Sequence, residues 1–180
     1  MQKTTKTTEH GATERVRDER QSEDERNGIV HDSINGELRQ CGARRMIMNP
    51  LAMCDKLDKM FGSGAEAIVH YMLSESGRDT FDTMMNNNQG KSRGELLKTL
   101  VDLQPSSGWG FVSLTILRAD PPVVDIVVRN PPVKALKGSQ KQIIGSYWAG
   151  VLSRYFNRQL MSKNHSYNAE KDEFSCTITV

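Results

Sequence analysis

The sequence predicts an α+β fold in which an antiparallel sheet of about four strands packs against helices. Three observations lead there. Apolar side chains between residues 51 and 103 recur at the three- and four-residue spacing of helices, whereas from Gly110 to Val128 they alternate with period two. A long apolar stripe from Ile143 to Phe156 then returns to helical spacing before a terminal alternating run. Helices are thus segregated from strands instead of alternating with them.

From Met1 to Gly28 the large apolar side chains are Met1 and Val16, so this stretch cannot offset the entropy of ordering. Residues 1–45 are therefore expected as a disordered, charged extension, with sparse apolar positions from Ile29 onward, and residues 46–180 as the packed domain. Asn49 can cap a helix with Pro50 as its first residue, where a missing N–H does no harm. Leu51, Cys54, Leu57 and Phe61 form its stripe, and Gly62 ends it. A second helix is expected from Ser63 to Gly77, with Ala65, Ile68, Val69, Met72 and Leu73 inward, and a short third from Asp79 to Met85. Residues 86–91 are a loop. Ser92 and Glu95 are spaced as a capping box for a fourth helix, whose apolar face is Leu96, Leu97, Leu100 and Leu103.

After the stop at residues 105–108, Val112, Leu114 and Ile116 alternate with Ser113 and Thr115, and the β-branched run Val123 to Val128 follows a Pro-containing turn. This is an antiparallel hairpin. Ser139 is placed to cap the long helix, in which Ile143, Ile144, Tyr147, Trp148, Val151, Leu152, Tyr155 and Phe156 share one side. Gly145 and Gly150 cost that helix roughly 1 kcal/mol each relative to Ala. Their presence implies close approach of a strand, a second subunit or a ligand. Residues 159–167 read as a polar edge strand. In the last strand Phe174, Cys176, Ile178 and Val180 lie on one face.

Composition narrows the function. The net charge of +2 is too small to argue for nucleic acid or an anionic membrane surface as partner. No apolar run approaches the roughly 20 residues of a membrane span, and the first residues lack the apolar core of a secretory leader. A cytoplasmic location is expected. Cys41, Cys54 and Cys176 form no CxxC pair and no zinc-type spacing, so they read as free thiols and no metal is expected.

No catalytic constellation is visible. His70 is the one histidine on an apolar helix, and a hydrogen-bonded structural role outweighs metal ligation there. Gly108-Trp109-Gly110 opens a strand, not a helix, so it is no phosphate-binding fingerprint, and no nicotinamide or flavin motif is present. The aromatic set Trp109, Phe111, Tyr147, Trp148, Tyr155 and Phe156 admits three readings: core packing, a pocket for a small hydrophobic molecule with Met72, Met84 and Met85 as adaptable walls, or a dimer interface.

The succession GWGFVSLTIL, VVRNPP, GSYWAGVLSRYF and FSCTITV resembles the 4-vinyl reductase domain family, small-molecule-binding modules related in fold to the TRAPP vesicle-tethering subunits. The resemblance spans roughly residues 46–180 and rests on diffuse glycines and apolar positions. Members that sense aromatic compounds carry a Cys/Glu zinc cluster near the end of the domain; only Cys176 remains of it here, and one thiol makes no structural site. The resemblance implies a homodimer that binds a small hydrophobic or aromatic ligand without catalysis, needs no cofactor, and serves as sensor or carrier. Trp109, Phe111, Tyr147, Trp148, Val151 and Met72 are the expected contacts. The alternative is an adaptor subunit acting through protein contacts in the TRAPP manner.

Overall fold

The computed structural model describes residues 29–32, 37–40, 50–134 and 136–180. Two short strands, β1 (Ile29–Asp32) and β2 (Glu37–Gln40), pair antiparallel within the stretch expected as an extension. The rest of the expectation for residues 1–45, and the proposed cap at Asn49, lie outside the described residues.

The helices α1 (Pro50–Phe61), α2 (Gly64–Asn87) and α3 (Arg93–Leu103) precede the sheet, and α4 (Gln142–Phe156) lies between its two halves in sequence. The sheet has strands β3 (Phe111–Ala119), β4 (Pro122–Arg129), β5 (Met161–Asn168) and β6 (Glu173–Thr179) in the order β3-β4-β6-β5, every pair antiparallel. This is the expected α+β architecture with its four-stranded sheet. On β4, Val124, Ile126 and Val128 are buried and the intervening residues half-buried. Phe174, Cys176 and Ile178 of β6 face the same way, as alternation requires. Val180, expected on that face, lies past the end of β6 and is exposed.

Helix α2 corrects the expectation of two helices broken at Gly77. It runs unbroken for 24 residues. Gly77 is buried against α4: a Cβ there would overlap the carbonyl oxygen of Tyr147 and stand 3.0 Å from the amide nitrogen of Val151. Gly150 of α4 is the reciprocal position, where a Cβ would overlap the carbonyl oxygen of Ser74. The two glycines therefore let the helix backbones touch. Their cost in helix propensity, roughly 1 kcal/mol each, is offset by the dispersion contacts of that crossing.

The capping box opens α3 as expected, Ser92 Oγ accepting from the Glu95 amide while the Glu95 carboxylate accepts from the Ser92 amide at 2.7 Å. Ser139 does not cap α4. It sits in a 3-10 turn (Gly138–Lys141), and its N–H donates to the Asp58 carboxylate of α1 at 3.1 Å. That bond ties α1 to the start of α4. Trp148, Phe81, Phe174, Ile126, Ile144 and Leu152 are among the largest fully buried side chains of the core these elements enclose.

Candidate functional site

Helix α4 packs along α2 on one side and against β5 and β6 on the other, while α3 stands over β3. The two helices do not meet over the whole sheet. Between them lies a cleft of about 420 Å³. Its floor is Val112, Leu114 and Ile116 of β3 with Val124 of β4; the register pairs Ile116 with Val124, so these side chains share one face. One wall is the α3 stripe Gly94, Leu97, Lys98 and Val101, at i, i+3, i+4 and i+7. The other is Leu152 and Tyr155 of α4. Arg93 donates to the carbonyls of Arg154 and Tyr155, the latter at 3.1 Å, which holds the start of α3 against the end of α4. Ile116, 45% exposed, marks where the helix layer stops sheltering the sheet.

None of the six residues singled out from the sequence lines this cleft. Trp109, Tyr147 and Trp148 come together beside it: Trp109 stacks on Tyr147 with centroids 5.2 Å apart, and Trp148 meets Tyr147 edge-on at 5.8 Å. Trp148 is fully buried, and its indole N–H has no acceptor among the described residues. It lies one turn before Leu152 on the same stripe of α4, about 6 Å along the axis from the cleft wall. Burial pushes the Tyr147 hydroxyl pKa up. Phe111 lines a separate shallow cleft with Arg129, whose guanidinium lies 6.0 Å from the ring centroid. Val151 is buried where α4 crosses Gly77. Met72 is 39% exposed, turned away from the core that its helical spacing suggested. The cleft escaped the sequence because its apolar floor and walls are read there as core, and only the spacing of α3 from α4 leaves the space open.

A polar cluster occupies the other end of α4. His70 Nδ1 lies 2.8 Å from Ser146 Oγ, the hydrogen-bonded structural role expected of it. His165 of β5 faces Gly145, where a Cβ would stand 2.7 Å from its Nε2 and from the Cβ of Ser162. Burial lowers the pKa of both histidines, with Arg78 adding to the effect on His70 and Lys141 to that on His165. Burial also raises the thiol pKa of Cys54, and that of Cys176 to about 12, so Cys176 stays a thiol at neutral pH. No cluster of three or more His, Cys, Asp or Glu suited to a metal exists among the described residues. Nor is any described helix long and apolar enough to cross a membrane.

No family model and no curated relative matches this sequence. Solved structures do match its fold. One is the phenol-responsive sensory domain of the transcription activator PoxR with phenol, 11% identical, with a TM-score of 0.54 over 87% of each chain. Another is a trafficking protein particle complex subunit 3 from Naegleria fowleri, covalently bound to palmitic acid, 13% identical, with a TM-score of 0.53 over 73% of this chain and 90% of that one. At such identities the likeness is one of fold, and the fold is the TRAPP-like α+β fold shared by that sensory domain and that subunit.

Proposed function

We propose that this chain is a non-enzymatic domain that binds a small hydrophobic or aromatic molecule in the cleft between α3, α4 and the β3–β4 hairpin. The observation that carries the reading is the cleft itself: about 420 Å³ of space with a largely apolar lining, within the size range of small-molecule sites. Apolar walls that enclose open space of this size favour an occupant. Trp109, Tyr147 and Trp148 act as the rigid backing of the α4 wall, and the unpartnered Trp148 N–H supplies a donor to a ligand oxygen if the cleft deepens by one turn. Phe111, Val151 and Met72 lie outside this cleft and have no part in the reading. Two proteins of this fold are described with organic ligands, one with phenol and one with palmitic acid, which supports a ligand-holding role. A place in the 4-vinyl reductase domain family, in the cytoplasm, as a sensor or carrier, is consistent with this role.

A second reading, an adaptor acting through protein contacts, is favoured by one observation: Met60, Phe61, Tyr71 and Met72 are exposed at 72%, 51%, 67% and 39%. Titration calorimetry with phenol and with 1-octanol, on the parent chain and on Leu114→Trp, separates the two. The binding reading expects saturable uptake of at least one probe, weakened about tenfold or more by the filled cleft, with circular dichroism unchanged. Absence of binding by the parent chain, or binding that Leu114→Trp leaves intact, would sink it.

A further inference from the structure

We infer that the molecule held in this cleft is an amphipathic monoanion, an apolar body ending in a single carboxylate, and that Lys98 receives the charge. The inference rests on the binding role proposed above and names its ligand class.

The α3 wall is the sequence stripe 94, 97, 98, 101, and at its exposed rim position stands a lysine. Among the described residues, Lys98 is the cleft's only charged lining residue. It has no ion pair among the described residues. The nearest preceding acid on α3, Glu95, has its carboxylate engaged in the capping box. Asp102 follows Lys98 by four residues, the weaker order for a helical pair.

An unpaired ammonium on a four-carbon stem, anchored on an apolar wall, reaches a charge placed at the mouth while the wall packs the ligand body. A lysine is a compact point charge, suited to one monovalent head rather than to the planar bidentate grip of arginine. The volume holds roughly a dozen non-hydrogen atoms at liquid-like packing, the size of a medium-chain or aryl-substituted acid.

The test compares octanoate with 1-octanol, which share the apolar body and differ in the head. Titration at about pH 7.5, where the acid is ionised, uses the parent chain, Lys98→Gln and Lys98→Arg. Lys98 is exposed, so neither substitution disturbs the core. The expected result is octanoate binding about fivefold more tightly than octanol to the parent chain, a preference lost in Lys98→Gln, kept in Lys98→Arg, and reduced in about 0.5 M salt. Equal affinity of the two probes for the parent chain, or a preference unchanged in Lys98→Gln, overturns the role of Lys98 while leaving the cleft as a neutral site. A gain in octanol affinity in Lys98→Gln with no loss for octanoate overturns it too, showing the lysine stem to be a mere cover. If neither probe binds saturably, the monoanion and the binding role fall together.

Discussion

His70 and His165 are the two side chains through which pH reaches the core of this domain. Both are half-buried and both have pKa values lowered from 6.5, first by burial, His70 further by Arg78, and His165 further by Lys141 and His70 against the opposing pull of Glu66. A base with a lower pKa when folded takes up protons more readily when unfolded. Stability contributed by the neutral rings is therefore full above about pH 6.5 and is lost as the pH falls through that value and below it. Thermal melts should give a Tm lower at pH 5.5 than at pH 7.5, with the difference reduced in His165→Gln; a Tm flat across this interval would contradict the sign. The role of His70 was legible, since a lone histidine on an apolar helix most often meets a hydrogen-bond partner. The position of His165 was not, because its neighbour Gly145 is distant in sequence and the strand around it reads as wholly polar.

The crossing of α2 and α4 depends on two absent methyl groups. Gly77→Ala or Gly150→Ala would push a Cβ into the opposing backbone, which has no side-chain freedom with which to yield, and each should cost about 3 kcal/mol in chemical denaturation. Gly94→Ala is the control. It has nothing within 4 Å of the added carbon and should stabilise by about 0.5 kcal/mol. Equal effects at all three positions would mean that the crossing is looser than described. Gly150 announced a close approach in the sequence because it sits within a strongly apolar helix at a cost in helix propensity. Gly77, with a charged stretch after it, looked like a terminator instead. Local signals place caps and alternation well, as at Ser92 and Val112, since a capping box and a pleat are completed by residues a few positions apart. They are silent on whether a helix continues through a glycine, because the compensating contact comes from α4, about 70 residues later.

At the scale of the whole molecule, four exposed apolar residues, Met60, Phe61, Tyr71 and Met72, lie on α1 and the first half of α2. Phe61 abuts Gly64, and Tyr71 follows on the same face two turns later. A homodimer built on this face predicts a dimer in sedimentation velocity at micromolar concentration that dissociates in Tyr71→Glu with no loss of Tm; a monomeric parent chain would remove the proposal. The strand order carries a further consequence. Strand β6 is the last of the described elements to be synthesised, yet it is an inner strand, flanked by β4 and β5. A ribosome must therefore release every other element before the sheet can close. Until residues 173–179 emerge, β4 offers a bare edge rich in valine and isoleucine. Such an edge is the kind that pairs with neighbouring nascent chains. For this fold, the hazard of misassembly lasts until β6 has left the ribosome.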